Sequence, residues 1–326
     1  MPASAGLRTE LVAPGLPGLL WERFGLGRTL RRGDLLFAPT NLIPSNWRGP
    51  TVLVMFDALQ ERRPDEFSRL VRLRFGRRYR NAVARADRVI VPSEATAADL
   101  SRVYGLSRDR MTVIHPAPEP AFRPLAADAM EVRQARETLK LGGAPFFLFV
   151  GKQSRRRNIP AILDAFRRHR IGFPSHRLVF VGEVADRGLP NRCEGDGVLN
   201  AGHVSEPILR GLMATARAVL YPSEHEGFGL PVVEAMASGC PVITLRRDAL
   251  IEAGGDGPVY LDEATAESLA AAMSSLATES SFRAERVAIG LEHASRFRME
   301  AFAAAVTREL QRVWDESGLG ESGRRR

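Results

Sequence analysis

Short runs of apolar residues recur along the chain, and stretches with helical spacing separate them. Most of the runs are continuously apolar rather than alternating, which is typical of parallel strands that are covered on both faces. The strands predicted in this way cover residues 34–39, 51–56, 88–93, 111–116, 146–151, 177–182, 217–223 and 240–245. Because helical patterns fall between them, the alternation predicts an α/β architecture with parallel sheets.

Apolar residues at helical spacing predict the helices that connect these strands. The predicted helices cover residues 65–86, 94–104, 129–141, 158–170, 206–217 and 300–314. Ser93 stands directly before the second of them, where a serine side chain caps the free N–H groups of a first turn.

A proline-rich stretch divides the chain. Residues 114–128 hold four prolines, which fix the backbone and remove hydrogen-bond donors, so this stretch predicts an extended connector. We therefore expect two Rossmann-like domains, over residues 1–125 and 126–316, and a disordered tail over residues 317–326.

Composition is that of an ordinary globular protein, with 44% hydrophobic and 26% charged residues. No apolar run approaches the ~20 residues that a membrane-spanning helix needs, and the first residues lack the apolar core of a signal peptide. Two cysteines, Cys193 and Cys240, cannot form a disulfide framework, and no HxxxH or CxxC pair predicts a zinc site. We therefore expect a cytoplasmic protein without a metal centre.

The segment from residue 221 to 244 carries the most informative pattern. A strand ends at Ser223, a loop with Gly227 and Gly229 follows, and Pro231 opens a helix. The first turn of such a helix points free N–H groups at the carboxyl edge of a parallel sheet. The pattern therefore predicts a site for phosphate or sugar hydroxyls.

Two carboxylates, Glu226 and Glu234, frame this loop. Taken singly, Glu226 is better interpreted as a loop charge, and Glu234 as a first-turn acid that the helix dipole favours. Together with the two glycines and the proline, they favour a binding site for a polyol. Val232 stands where the dinucleotide fingerprint has its third glycine, which argues against a dehydrogenase.

The stretch Glu226–Ala235, EGFGLPVVEA, resembles the Glu-x7-Glu signature of the family-4 retaining glycosyltransferases, within the group 1 glycosyl transferases. The similarity runs from about residue 34 to 305. It implies the GT-B fold, in which two Rossmann-like domains face a cleft and a helix such as 300–314 packs back on the N-terminal domain. It also implies that Glu226 is the main catalytic carboxylate and contacts the hydroxyls of a donor sugar, and that Glu234 binds the nucleotide ribose.

The same resemblance implies further donor-binding groups. The loop from Gly227 through Phe228 and Gly229 to Leu230 would contact sugar and phosphate through its backbone N–H groups. His203 and Val204 would lie near the nucleotide base, although a surface histidine is nearly as good an interpretation.

Residues 146–166 match a second element of the family, a strand followed by a Val-Gly turn and a basic segment. Gly151 ends the strand, and the resemblance assigns phosphate binding to Lys152 and Arg157, since fixed cations stabilise a leaving diphosphate. Arg157 stands where the family usually has lysine, which keeps the charge and changes the geometry. For the run Arg155–Arg157 alone, a solvated basic loop is the alternative. No DxD triplet occurs, so we expect neither a metal nor another cofactor.

Two features depart from the family. Relatives commonly end the strand at 51–56 with His-Asp, whereas this chain has Phe56 and Asp57. Asp57 is the second, weaker catalytic candidate, and capping of the next turn is an equal interpretation. The family also opens with a strand and a glycine-rich loop, for which residues 13–20 are a poor match, so we expect an N-terminal domain that is short for the family.

The net charge of +8 lies wholly in residues 1–150, and much of it in residues 62–88, which hold ten arginines against three acids. A basic amphipathic helix of this kind suits an anionic membrane surface. A solvated helix packed on its sheet is an equal alternative, and without an accompanying motif nucleic acid is not expected as a partner.

The sequence thus predicts a transferase that moves a mannosyl- or glucosyl-type sugar from a nucleoside-diphosphate donor to an acceptor hydroxyl, with retention. The expected acceptor is a saccharide or a lipid-linked group of the cell envelope, reached from the cytoplasm at the inner face of the membrane. The alternative, motivated by Phe56 and the missing loop, is a donor-binding homologue without catalysis that acts as a partner or regulatory protein.

Overall fold

The computed structural model describes residues 33–184 and 196–319. The stretch 13–20, Cys193 and residues 320–326 of the predicted tail lie outside the described residues. The described residues form a four-stranded and a six-stranded sheet, and every strand pair in both sheets is parallel. The predicted α/β class with parallel sheets is confirmed.

The N-terminal sheet has the strand order β1-β2-β3-β4. Its strands are β1 Leu36–Ala38, β2 Thr51–Val54, β3 Arg88–Val91 and β4 Met111–Val113. Its helices are α1 Leu59–Arg62, α2 Arg69–Arg85 and α3 Glu94–Tyr104. The predicted N-cap is confirmed, because the Ser93 side chain accepts a hydrogen bond from the Thr96 N–H at 2.9 Å.

The helix predicted over residues 65–86 begins four residues later than expected. Residues Pro64–Glu66 form a separate 3₁₀ turn, and Ser68 then caps α2 by accepting a hydrogen bond from the Val71 N–H at 3.3 Å. The prediction missed this start because the apolar spacing continues through the turn, while the cap interrupts the helical backbone.

The C-terminal sheet has the order β10-β9-β8-β5-β6-β7. Its strands are β5 Phe146–Val150, β6 Arg177–Val181, β7 Val198–Gly202, β8 Val219–Tyr221, β9 Val242–Leu245 and β10 Val259–Leu261. This is the order of Rossmann-type nucleotide-binding domains. The sequence analysis did not predict β7 and β10, which lie at the two edges and are only partly buried, so they lack continuous apolar runs.

Seven of the described helices belong to the C-terminal domain. They are α4 Met130–Thr138, α5 Ile159–Gly172, α6 Glu206–Thr215, α7 Leu230–Ala237, α8 Asp248–Gly254, α9 Ala266–Thr278 and α10 Ser280–Ala294. Two apolar cores lie on the two faces of the sheet, one beneath α5 and α9 and the other beneath α6 and α7.

The last described helix, α11 Met299–Glu316, returns to the N-terminal domain. It packs on β2 and β3, where Val313 joins a small core with Val52 and Ile90. Arg88 of β3 also pairs with Glu309 at 3.4 Å. The two domains are therefore joined by two chain crossings, the proline-rich connector and the approach to α11.

Within residues 33–184 and 196–319, no helix combines the length and the apolar character that crossing a bilayer requires. In the same residues, no group of three His, Cys, Asp or Glu side chains is arranged to hold a metal ion.

Candidate functional site

The strand order of the C-terminal sheet fixes where a ligand can enter. β5 and β8 are neighbours, but the helices that follow them, α5 and α7, cover opposite faces of the sheet. A crevice opens outside the carboxyl ends of two such strands. The chain leaves β5 at Gly151 and β8 at Pro222, so the two segments that the sequence analysis singled out meet at this crevice.

α7 begins at the crevice. Gly229 precedes it with φ of 108°, in the left-handed region that favours glycine, and a Cβ there would lie 2.7 Å from a methyl group of Leu250. The ring of Phe228 is buried and stacks on His115 at 5.3 Å between centroids. Since that side chain is used in packing, this part of the loop can offer a ligand only backbone groups, as the resemblance implies.

The carboxylate of Glu226 lies among hydrogen-bond donors. Its Oε1 accepts hydrogen bonds from Arg157 Nε at 2.9 Å and from Ser223 Oγ at 2.9 Å, and another from Arg156 Nη1. Burial would raise the pKa of Glu226, but the attraction of Arg157 and Arg156 outweighs it and lowers this pKa below its usual range. Glu226 is therefore an anion at neutral pH and can accept hydrogen bonds from hydroxyl groups.

Arg157 lies beneath the loop rather than in the open crevice. Besides Glu226, its guanidinium donates to Lys152 O at 3.0 Å and to the Tyr221 hydroxyl at 3.2 Å. Gly151 allows this packing, because a Cβ at that position would collide with the guanidinium. Lys152 is exposed. The structure thus brings the predicted residues of this segment together, and of Lys152 and Arg157 the lysine is the more accessible cation.

Arg156 is a site residue that the sequence analysis did not single out from its run. In addition to Glu226, it donates to His225 O at 2.9 Å and to Ser223 Oγ at 3.2 Å. Three consecutive arginines in a 3₁₀ turn project about 120° apart. The sequence alone therefore gives no sign of which of the three side chains point inward.

Glu234 lies one turn into α7 and has no such neighbours. Its carboxylate accepts no hydrogen bond and forms no ion pair within residues 33–184 and 196–319. Burial, together with the nearby charges of Glu119 and Glu206, raises the pKa of Glu234 to about 7. This carboxylate is therefore available to a ligand, and its charge changes close to neutral pH.

The loop between β7 and α6 holds His203 and Val204. His203 is exposed, and Val204 packs against the edge of the C-terminal core. Glu206, three residues further along, is close enough to raise the pKa of Glu234. Both predicted residues therefore lie on the Glu234 side of the crevice.

The N-terminal domain covers the other side of the signature loop. The carbonyl of Gly227 accepts hydrogen bonds from Ser93 Oγ at 2.5 Å and Thr96 Oγ1 at 2.9 Å. A Cβ at Gly227 would collide with the carbonyl of Phe56. This glycine, predicted to give a ligand room, thus also permits close contact between the domains.

Glu252 of α8 makes a second contact between the domains. Its two carboxylate oxygens accept hydrogen bonds from the Glu94 and Ala95 N–H groups, at 2.7 and 2.8 Å, at the start of α3. A carboxylate at a helix N-terminus is favoured by the free N–H groups and the helix dipole. Sequence spacing does not reveal these partners, because they stand about 160 residues apart in the chain.

Asp57 and Phe56 end the strand on the N-terminal side. Asp57 Oδ1 accepts a hydrogen bond from the Leu59 N–H at 3.0 Å, so the side chain caps α1. Burial raises the pKa of Asp57, and the charge of Glu226 in the other domain adds to this, while His225 and Arg156 offset it in part. The capping residue therefore also borders the site. The Phe56 side chain is 49% exposed.

Two family patterns match the chain. The pattern described as Glycosyl transferases group 1 matches residues 144–279, and that described as Glycosyltransferase Family 4 matches residues 10–121. Together the two matches cover more than half of the chain. They include the basic segment and the complete signature segment.

Individual relatives agree with these patterns. O-antigen chain mannosyltransferase B of Escherichia coli is 28% identical over 220 residues, which are 65% of this chain and 57% of that protein. D-inositol 3-phosphate glycosyltransferase of Thermobifida fusca is 29% identical over 234 residues, covering 65% of this chain and 52% of that protein. The chain thus spans little more than half the length of these curated relatives.

Solved structures share the fold. HepE of Anabaena, in complex with UDP-glucose, superposes with a TM-score of 0.70 at 21% identity, over 85% of this chain and 78% of that one. Sucrose-phosphate synthase of Thermosynechococcus elongatus gives a TM-score of 0.62 at 21% identity, over 83% and 69%. These likenesses confirm the predicted GT-B-like arrangement of two Rossmann-like domains. The chain belongs to the group 1 glycosyl transferases, family 4.

Proposed function

We propose that this protein transfers a hexosyl group from a nucleoside-diphosphate sugar to an acceptor hydroxyl, with retention of the anomeric configuration. The observation that carries the proposal is the pair Glu226 and Glu234. They stand on either side of the start of α7, at the switch point of a Rossmann-type sheet, in a member of a glycosyltransferase family. A pair of carboxylates there suits the hydroxyl groups of a sugar and of a ribose.

The crevice offers a separate group for each part of the donor. The backbone at the start of α7 and Lys152 would hold the diphosphate, since helix N-termini and cations bind phosphate. Glu234 would accept hydrogen bonds from the ribose, with the base toward His203 and Val204. Glu226 would hold the sugar, because its Arg156 and Arg157 partners keep it ionised.

The chemistry needs little from protein side chains beyond charge and orientation. As the glycosidic bond to phosphate breaks, negative charge grows on the diphosphate, and fixed cations and N–H dipoles lower the barrier. A leaving phosphate oxygen that takes the proton of the attacking acceptor hydroxyl accounts for retention without a covalent intermediate. The fixed positive groups of the protein would do this work without a metal cofactor.

The relatives suggest the substrate class. A mannosyltransferase acting on O-antigen chains and glycosyltransferases named for inositol 3-phosphate are among them. We therefore propose a mannosyl- or glucosyl-type donor and a saccharide or lipid-linked acceptor. Such a donor and acceptor fit the synthesis of cell-envelope saccharides at the cytoplasmic side of the membrane.

A second candidate function is donor binding without transfer, as a partner or regulatory protein. Phe56 favours it, because a phenyl ring at the edge of the cleft can neither donate a hydrogen bond nor hold a proton.

A panel of UDP-, GDP- and ADP-sugars separates the two functions. We expect release of the nucleoside diphosphate from at least one of these sugars, accelerated by an acceptor extract, together with calorimetric binding of the same sugar. Binding without release would contradict the transferase and support the second function. Absence of binding by every sugar would contradict both.

We also propose that α2 rests on an anionic membrane. Leu70 and Leu73 are 80% and 68% exposed, and arginines surround them on the same helix. Apolar side chains that insert, with cations at the headgroups, are the chemistry of interfacial helices. The Arg72→Glu, Arg78→Glu variant should bind phosphatidylglycerol-containing vesicles at least about tenfold more weakly, at about 1 kcal/mol per charge.

The matched control for this test reverses two exposed arginines elsewhere, Arg123→Glu and Arg308→Glu, and changes the net charge equally. Equal loss of vesicle binding in both variants would show an effect of net charge and contradict the role of α2.

A further inference from the structure

Glu66 of the N-terminal domain lies in the seam between the domains. It ends the 3₁₀ turn Pro64–Glu66, and its side chain is 11% exposed. Its Oε2 lies 3.5 Å from Arg156 Nε, and its Oε1 lies 3.7 Å from Arg63 Nη2. Burial raises the pKa of Glu66, and the attraction of Arg156 and Arg63 offsets this only in part.

Arg156 joins this carboxylate to the signature loop. Its guanidinium donates through Nη1 to Glu226, His225 O and Ser223 Oγ, while Nε forms an ion pair with Glu66 at 3.5 Å. A planar guanidinium has a fixed fork of donors, so fixing one side of it fixes the other. The orientation of Glu226 is thereby linked to a residue of the other domain.

Charges of both signs meet in this cluster. Glu66 and Glu226 contribute two negative charges, and Arg63, Arg156 and Arg157 contribute three positive charges. A buried ion pair adds little to stability, because desolvation of the charges cancels most of the attraction. Stability alone therefore gives no reason for a carboxylate at position 66.

We propose that Arg156 is a positioning residue for Glu226 and that Glu66 is its anchor in the N-terminal domain. The donor-sugar carboxylate then reaches its working geometry only when the two domains are in contact. The proposal rests on the proposed function, since it assigns a role within the same site. It adds a dependence of that site on the acceptor-side domain.

The test compares Glu66→Gln with Asp65→Asn in the full chain. Asp65 is the matched control, because it is 63% exposed, stands next to Glu66 and pairs on the outside with Arg63 at 3.3 Å. Glu66→Gln should lower kcat about tenfold and leave the donor KM within about threefold, because the charged partner of Arg156 is lost away from the ligand. Asp65→Asn should change neither constant more than about twofold.

Hydrogen exchange gives a readout that does not depend on turnover. The Glu224 N–H donates to the carbonyl of Arg156 at 2.8 Å, so freedom of the turn at residues 155–157 should speed amide exchange in the peptide 223–229. We expect faster exchange in Glu66→Gln and parental exchange in Asp65→Asn. Arg156→Lys should behave as Glu66→Gln does, and the double variant should lose little more than either single variant, since both break one linkage.

Each outcome is decisive. Parental exchange at 223–229 and parental kcat in Glu66→Gln would overturn the positioning role. An equal loss in kcat for Glu66→Gln and Asp65→Asn would overturn it too, as an effect of surface charge. Faster exchange in Glu66→Gln than in the parent, when the parent transfers none of the sugars, would refute the proposed function and still support the linkage between Glu66 and the loop.

Discussion

Glu226 and Glu234 stand eight residues apart in one segment, and the protein surrounds them in opposite ways. Two arginines and a serine donate hydrogen bonds to Glu226, and its pKa is lowered. Glu234 has no such donor in the described part of the chain, and burial beside two other glutamates raises its pKa to about 7. Both carboxylates are largely buried, so the contrast comes from their partners.

This difference divides the work of binding a donor. Glu226 is charged and oriented before any ligand binds, so it can contact the donor sugar without reorganisation of the site. Glu234 gains its partner only from the ligand, so its contribution is affinity that varies with pH. Mutating each carboxylate in the same way should therefore give unlike results.

The largest effect is expected from Glu226→Gln. The amide keeps the shape but leaves Arg157 without its buried counter-charge and Arg156 with Glu66 alone, which costs about 3–5 kcal/mol of unfolding free energy. Loss of a charged hydrogen bond to the sugar should also lower kcat/KM about 10- to 100-fold. Urea unfolding and steady-state kinetics check both numbers, and an unchanged stability would mean that the arginines have other partners in solution.

Glu234→Gln should sharpen the comparison by changing affinity and stability in opposite directions. At pH 8 we expect about tenfold weaker donor binding, because a charged acceptor is lost. The folded chain holds the proton of Glu234 more tightly than the unfolded chain does. Ionisation of this residue therefore lowers the free energy of unfolding as pH rises from about 4.5 to about 7. The variant should consequently be more stable at pH 8 by about 1–2 kcal/mol. If urea unfolding showed Glu234→Gln to be less stable than the parent at pH 8, the predicted difference between Glu234 and Glu226 would be contradicted.

The third prediction concerns the effect of pH on stability away from the site. His169 is buried and bonds Ser274 Oγ at 3.0 Å and His176 Nδ1 at 2.9 Å, and burial, with His176, lowers its pKa to about 4. A histidine with a lowered pKa loses stability as pH falls below about 6.5. Unfolding free energy should drop by about 2 kcal/mol between pH 7.5 and pH 5 from this residue.

His169→Gln should remove that part of the pH dependence of unfolding and leave the pH dependence of donor binding unchanged. If the variant and the parent lost stability in parallel between pH 7.5 and pH 5, His169 would have no part in it.

Much of the fold could be predicted from continuous apolar runs. All eight predicted strands are present, and six of them are central strands, which are apolar on both faces. Edge strands such as Val198–Gly202 are half exposed and give no such run. Helices such as Ala266–Thr278 were missed because an alanine-rich stretch shows weak periodicity even where Leu269 and Met273 are buried.

The site could be predicted only as far as it is local in sequence. The loop glycines and both glutamates stand in one segment, and the resemblance to the family implied their roles. Contacts across the seam, such as Ser93 and Thr96 on the Gly227 carbonyl, join residues more than 130 apart, and no spacing rule reveals them. The inward orientation of Arg156 and Arg157 within their run likewise depends on the backbone turn.

The most direct test of the account is calorimetric titration with the nucleotide sugar that the protein turns over fastest, at pH 6 and pH 8. Its diphosphate is a diester with no proton to exchange in this range, so proton release on binding reports the protein. Because Glu234 is mostly protonated at pH 6, the account predicts about tenfold weaker binding there than at pH 8, with release of about one proton at pH 6. Glu234→Gln should abolish both effects. Equal affinity at the two pH values, with no proton released by the parent, would contradict the assignment of Glu234 to the donor.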